Sequence, residues 1–187
     1  MLCRLNYRIR ILLITNGLVL LSAAMLGPIY ALFIENVGAD LMAASLSLAV
    51  FSCVAGFVSI MSGRYADRVA NPALVMAVGY VLMAIGFFGY MFVTSMWWLL
   101  LVQVVIGFGE AIYAPAFDLL YAKHLDGQRP GRQWAAWESM DYFVRSFGAV
   151  CGGLLVKYCG FNPMFFVMGS LCLLSAAYVC ALPKYTL

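Results

Sequence analysis

Six long apolar segments dominate the chain, and their length is that of helices that cross a lipid bilayer. They lie at about 11–34, 41–62, 73–94, 97–122, 132–156 and 163–182. Each is close to the ~20 residues that an α-helix needs to cross the ~30 Å hydrocarbon core of a bilayer. Only 10% of the residues are charged, against about 25% in soluble domains. The sequence therefore predicts an all-α integral membrane protein with six transmembrane helices in a single domain, residues 1–187.

The first apolar segment also has to be considered as a cleaved signal peptide, because arginines precede it. It is longer than the apolar region of such a signal. Pro28 and Glu35 stand where a small-residue cleavage site would be expected. We therefore interpret this segment as the first membrane-spanning helix.

Basic residues are distributed unevenly between the two sides that six spans define. Nine of them fall in the tails and in the gaps after even-numbered spans: Arg4, Arg8, Arg10, Arg64, Arg68, Lys123, Arg129, Arg132 and Lys184. The opposite side has Lys157, with Glu35 and Asp40 in its first loop. Because Lys and Arg are enriched in cytoplasmic loops, we expect both termini in the cytoplasm and a multi-pass protein in the cell (inner or plasma) membrane, surrounded by lipid.

The gap between the second and third spans reads GRYADRVANP and contains Gly63, Asp67 and Arg68. This G-x-x-x-D-R pattern resembles the G-x-L-x-D-R-x-G-R-R signature of major facilitator superfamily transporters, although its later glycine and basic pair are absent here. We expect Gly63 to allow a sharp exit from the helix. The resemblance implies that Asp67 and Arg68 form a latch that holds the outward-facing state against the opposite half of a transporter. A solvated loop whose charges only fix topology is the alternative.

A second stretch, GAVCGG in the fifth span, resembles the end of a G-P-x-x-G-G motif of the same family, with Ala149 in place of proline. Gly148 and Gly152 are four residues apart and Gly153 follows. Small residues at this spacing let helix backbones approach each other closely in membranes. We therefore expect these glycines to form a helix-packing surface.

The fourth span departs from the family in one respect. Gln103 precedes Gly107 where the family often has R-x-x-x-G, so the basic residue that is associated with proton coupling in many members is absent. The resemblance covers six spans, half of the usual twelve. It implies half of a major facilitator superfamily fold, working as a parallel homodimer or with a separate homologous half.

Ionisable residues inside the spans are the candidates for a substrate or ion pathway. They are Glu110, Asp118, Glu138, Asp141 and Arg145. Such residues cost roughly 2.5–3.5 kcal/mol each on insertion scales and are functional candidates by default. The last three share one helical face with Gly148 and Gly152, and this face must contact protein or water because polar groups do not face lipid.

Arg145 has two possible partners. Glu110 lies about 18 Å from the end of its helix and Arg145 about 20 Å from the start of its own, so the two are level near the midplane. Asp141 is one turn from Arg145 and can pair with it within the helix. In the functional interpretation Arg145 anchors an anion or substrate. In the structural one these charges form a buried network that only fixes packing.

Three other residues affect the interpretation. Pro115 removes a helix hydrogen bond near Glu110 and is expected to kink the fourth span, and Pro28 is expected to do the same in the first. His124 lies in a loop, and we interpret it as solvated rather than as a ligand.

Other classes of function lack support in the sequence. We find no nucleotide-binding P-loop, no nucleophile spacing of Ser, His and Cys, no C-x-x-C pair, no metal site and no filter-like loop for a channel. The net charge of +3 is too small to indicate nucleic acid. We expect no cofactor and no enzymatic activity. The leading hypothesis is a secondary transporter unit for a small molecule or ion, and the alternative is a non-transporting half that serves membrane assembly.

Overall fold

The computed structural model describes residues 6–125, 127 and 130–182 of the 187-residue chain. This part consists of helices joined by short connections and contains no strand: α1 (Tyr7–Leu26), α2 (Tyr30–Asn36), α3 (Leu41–Ala66), α4 (Pro72–Gly89), α5 (Met96–Lys123), α6 (Pro130–Cys159) and α7 (Phe161–Ala181). Because α1 and α2 together form one segment, the seven helices correspond to the six expected spans. Arg4, Arg129 and Lys184 of the charge argument lie outside the described residues.

The helix ends follow from local chemistry. Asn6 and Asp40 cap the starts of α1 and α3 by accepting a backbone N–H, and Pro72 begins α4 at a position where its missing N–H costs nothing. Gly38 and Gly160 have φ angles of 82° and 86°. These left-handed conformations, which glycine adopts without strain, make the tight connections before α3 and α7.

The two prolines inside spans have different effects. Pro28 lies in a 3-10 turn, Gly27–Ile29, which separates α1 from α2, so the first span is interrupted where expected. Pro115 lies within α5, which continues to Lys123. A proline has no N–H for the carbonyl four residues earlier, here that of Ala111. The hydroxyl of Ser62 on α3 donates to this carbonyl instead, so the backbone group stays satisfied and α3 is fixed to α5.

Hydropathy separates α6 from the other spans. Five segments are long and apolar enough to cross a membrane: Tyr7–Asn36, Leu41–Ala66, Pro72–Phe92, Met96–Lys123 and Phe161–Ala181. The 30-residue α6 is long enough, but Glu138, Asp141 and Arg145 reduce its mean hydropathy. We therefore attribute the membrane-spanning position of α6 to its packing against α1 and α7 rather than to its own hydropathy.

The packing has the same pattern in both halves of the chain. α1 packs against α6 and α7, whereas α5 packs against α3 and α4, and α4 contacts α7. If the first, second and third spans are exchanged with the fourth, fifth and sixth, respectively, the same set of contacting helix pairs is obtained. This pattern is that of the 3+3 inverted repeats nested within six-helix transporter halves. α3 and α6 lie at the periphery, and only 11% of the most apolar stretch of α3 is buried.

Glycines allow α6 to approach α1. A Cβ atom on Gly152 would overlap the carbonyl oxygen of Met25, and one on Gly148 would lie 2.8 Å from the Cβ of Ala24. A Cβ on Gly153 would meet nothing within 4 Å. The structure therefore shows close packing at Gly148 and Gly152 and not at Gly153.

We predict that Gly152→Ala destabilises the protein, because the added methyl group forces α6 away from α1. Overpacking of this kind typically costs about 1–3 kcal/mol. The measurement is the midpoint of thermal unfolding in detergent, followed by circular dichroism. Gly153→Ala is the matched control and should leave the midpoint nearly unchanged. Equal midpoints for the two variants would contradict the contact.

Candidate functional site

Two cavities lie side by side among the helices. The first has a volume of about 390 Å³ and is lined by Arg145 and Glu110; we call it the charged cavity. The second has a volume of about 340 Å³ and is lined by aromatic and aliphatic side chains together with Glu110; we call it the aromatic cavity. Ala23, Gly27, Phe51 and Glu110 line both. Both volumes are in the range of small-molecule sites, and Glu110 belongs to both walls.

In the charged cavity Arg145 pairs within its own helix. Its Nε donates to Oδ1 of Asp141 at 2.9 Å, and the side chains are 65% and 10% exposed, respectively. In the part of the chain that the structure describes, this is the one ion pair within 4 Å. Glu110 lines the same cavity without reaching that distance. Of the two partners considered for Arg145, the structure has Asp141.

The remaining two acids of the expected pathway lie elsewhere. Asp118 is exposed near the end of α5, two turns beyond Glu110, and Glu138 is exposed one turn before Asp141 on α6. Neither lines the charged or the aromatic cavity. The structure therefore brings together Glu110, Asp141 and Arg145.

The loop between α3 and α4 differs from the expectation in one respect. Gly63 lies within α3 and makes no exit from the helix, because α3 continues to Ala66 and Asp67 ends it with right-handed backbone angles (φ −64°, ψ −22°). Gly63 instead faces α5, where a Cβ atom would be 4.0 Å from the Cβ of Pro115. Asp67 and Arg68 are exposed.

The hydrogen bonds that Gln103 makes beside the aromatic cavity were not predicted from the sequence. Gln103 Nε2 donates to the hydroxyl of Tyr30 at 2.7 Å, and the hydroxyl of Tyr90 donates to Gln103 Oε1 at 3.3 Å. Tyr30 also bonds Ser47 at 2.5 Å. The available signal was the position of Gln103, seven residues before Glu110 and therefore on the same face of α5.

A second expectation, that His124 is only solvated, is wrong, because both ring nitrogens make hydrogen bonds. Its Nδ1 lies 2.7 Å from the carbonyl oxygen of Leu120, and its Nε2 lies 3.1 Å from Nη1 of Arg8. A carbonyl only accepts, so Nδ1 carries the proton and Nε2 accepts from Arg8. The ring connects the start of α1 to the end of α5. Among the described residues no group of three His, Cys, Asp or Glu side chains is placed to hold a metal ion.

A bundle of six helices with ionisable groups beside two cavities is the architecture of an α-helical, multi-pass membrane protein. The chain belongs to the Major Facilitator Superfamily, whose family model matches residues 12–185. Its fold is half of the superfamily fold, with six of the usual twelve spans. The superfamily is one of transporters and not of enzymes.

The chain is similar to curated bacterial proteins of this superfamily. It is 29% identical over 164 residues to the multidrug resistance protein MdtH of Cronobacter sakazakii, a match that covers 84% of this chain and 40% of the relative. It is 21% identical over 171 residues to the multidrug resistance protein MdtG of Salmonella typhimurium, with 89% of this chain and 42% of the relative covered. The chain thus spans about two fifths of the length of these relatives.

We predict that Arg145→Ala lowers stability through Asp141, whose buried carboxylate loses its partner. The expected cost is about 1–3 kcal/mol, measured as the shift in the unfolding midpoint in detergent. Adding Asp141→Asn should restore most of the loss, since an amide is neutral. Adding Glu110→Gln in its place should restore little. If Glu110→Gln rescues as well as Asp141→Asn, then Glu110 shares the pairing.

Proposed function

We propose that the chain performs secondary active transport of a small organic solute by alternating access, as a half-size unit that pairs with a second six-helix half. The observation that supports this proposal most directly is the charged cavity, in which Glu110 and Arg145 face the same space between helices. A purely structural ion network has no need of a cavity of this volume. We propose the inner membrane as its location, with both termini in the cytoplasm, because the basic residues collect at one end of the bundle.

The exposure of Arg145 supports the need for a second half. Its side chain is 65% exposed on the peripheral helix α6, at a depth where hydrocarbon would surround it. A charge in that position is costly in lipid. Tyr142, which is three residues before Arg145 and therefore on the same side of α6, is also exposed. A second half placed over α3 and α6 covers this face and closes the open side of the charged cavity.

The geometry of the superfamily suggests how the second half is arranged. Six-helix halves are related by an axis along the membrane normal, and in such an arrangement the two cavities of this chain would lie at the interface between halves. A parallel second copy of this chain is the preferred partner, and a separate homologous half is the alternative. The curated relatives, at more than twice this length, have room for two such units.

Asp67 supports the same arrangement. It stands at the carboxyl end of α3, where the helix dipole disfavours a negative charge. None of the described residues forms a side-chain hydrogen bond or ion pair with its carboxylate. A partner on the opposite half, either an arginine or a helix amino terminus, would turn this unfavourable position into an attractive contact. We therefore propose Asp67 and Arg68 as the latch between halves.

Transport is tested with the 187-residue chain in energised cells that lack their own multidrug exporters. We expect the chain to reduce accumulation of dyes such as ethidium, since the relatives carry the name multidrug resistance protein. Arg145→Ala and Glu110→Gln should abolish this effect, whereas the control Glu138→Gln should retain it.

The number of chains in the transporting unit is measured by native mass spectrometry in lipid. An active monomer would overturn the pairing, and an inactive but stable assembly would favour the alternative of a non-transporting assembly subunit.

We predict that Asp67→Asn leaves the amount and the unfolding midpoint of the protein unchanged but weakens the outward-facing state. Only a charge contact between halves is lost. The reporter is Ala23→Cys, which lines both cavities, in a background whose native cysteines are replaced. Labelling by a membrane-impermeant thiol reagent should increase from the cytoplasmic side and decrease from the other. An unchanged labelling ratio would assign Asp67 to topology alone.

A further inference from the structure

The hydrogen bonds beside the aromatic cavity have a fixed direction. The hydroxyl of Ser47 donates to the carbonyl of Ala44 at 2.8 Å, which uses its only proton. The hydroxyl of Tyr30 must then be the donor in its 2.5 Å bond to Ser47. Tyr30 in turn accepts from Gln103 Nε2, and Gln103 Oε1 accepts from Tyr90. The chain runs in one direction from Tyr90 to Ala44, and it fixes which end of the Gln103 amide is oxygen and which is nitrogen.

Gln103 keeps one donor that this chain does not use. A primary amide has two N–H groups, and the described structure assigns one of them, to Tyr30. The Gln103 side chain lines the aromatic cavity, and the residue is only 5% exposed. Inside a membrane protein a buried donor without an acceptor is costly, because hydrocarbon cannot accept a hydrogen bond. A ligand oxygen placed here would accept a hydrogen bond from the second N–H of Gln103.

Glu110 lies at the other end of the same surface. It is seven residues from Gln103 on α5, which corresponds to about 10 Å along the helix. Between them the wall is apolar, with Phe51, Phe87 and Ile106 among its residues. Glu110 is the one charged residue of this cavity. The wall thus presents a donor at one end, a carboxylate at the other and an apolar surface between them.

We propose that Gln103 is a specificity-determining residue that selects ligands carrying a hydrogen-bond acceptor, such as a ketone or amide oxygen, opposite a positively charged end held by Glu110. Tyr90, Tyr30 and Ser47 are positioning residues, because they orient the Gln103 amide through the directed chain and need not touch the ligand. This inference rests on the proposed function, since it assigns a binding role to one of the two cavities.

The test uses two probes that differ in one group. They are the (4-oxo-4-phenylbutyl)trimethylammonium ion and the (4-phenylbutyl)trimethylammonium ion, which lacks the ketone oxygen. Equilibrium binding of each probe is measured to the purified 187-residue chain in lipid nanodiscs, with empty nanodiscs subtracted. The readout is the ratio of the two dissociation constants, compared between wild type and variant, which cancels the different affinities of the probes for lipid.

Gln103→Met should lower the preference for the ketone by about two- to tenfold, the contribution of one hydrogen bond. Tyr90→Phe should lower it in part, because the amide loses the bond that orients it while the cavity keeps its shape. Tyr80→Phe is the matched control: Tyr80 is a fully buried tyrosine whose hydroxyl bonds Asn16, and it should leave the ratio unchanged. Glu110→Gln should weaken both probes equally.

Three results would overturn the inference. An unchanged ratio in both Gln103→Met and Tyr90→Phe would remove the amide from recognition. An equal loss of the ketone preference in Tyr80→Phe would show that removal of any buried hydroxyl has this effect. If neither probe binds, the aromatic cavity is not a ligand site. The dye accumulation assay remains the separate measure of transport, so failure of this subsite and failure of the proposed function are distinguishable.

Discussion

Hydrocarbon cannot solvate an ionised side chain, and the position of α6 depends on this constraint. Asp141 is buried and neutralised by Arg145 at 2.9 Å, so the face that carries both must contact protein or a polar space. One to three turns further along the helix, Gly148 and Gly152 bring the backbone of α6 onto α1. Together these contacts orient a helix of low hydropathy, and they bring Arg145 and Ala149 into the wall of the charged cavity.

The same constraint explains how the bundle tolerates its irregular backbone. Pro115 removes the hydrogen bond of the Ala111 carbonyl, and Ser62 on the neighbouring helix supplies a donor. Gly63 follows Ser62 and faces Pro115, so the end of α3 that carries Asp67 is held against α5 near Glu110.

Hydrophobic periodicity was sufficient to predict the six spans, because it depends on local composition, and the family followed from the short motifs at Gly63–Arg68 and Gly148–Gly153 that resemble its signatures. The partner of Arg145 was not decided by the sequence, since two acids lay within reach and side-chain geometry chooses between them. Gly63 was wrongly expected to end its helix, because a glycine near a helix end does not require a left-handed conformation. The chain through Tyr30 and Gln103 joins residues distant in sequence and has no local signature.

The two cavities differ in electrostatics although they share Glu110. In the charged cavity Glu110 shares the wall with Arg145, whereas the aromatic cavity contains no basic side chain. A cation bound in the aromatic cavity would therefore neutralise Glu110 from one side and weaken its attraction for Arg145 on the other. Interactions between charges are strong in surroundings of low dielectric constant. Under the proposed function this shared carboxylate gives ligand binding in one cavity a direct electrical effect on the Arg145–Asp141 pair in the other.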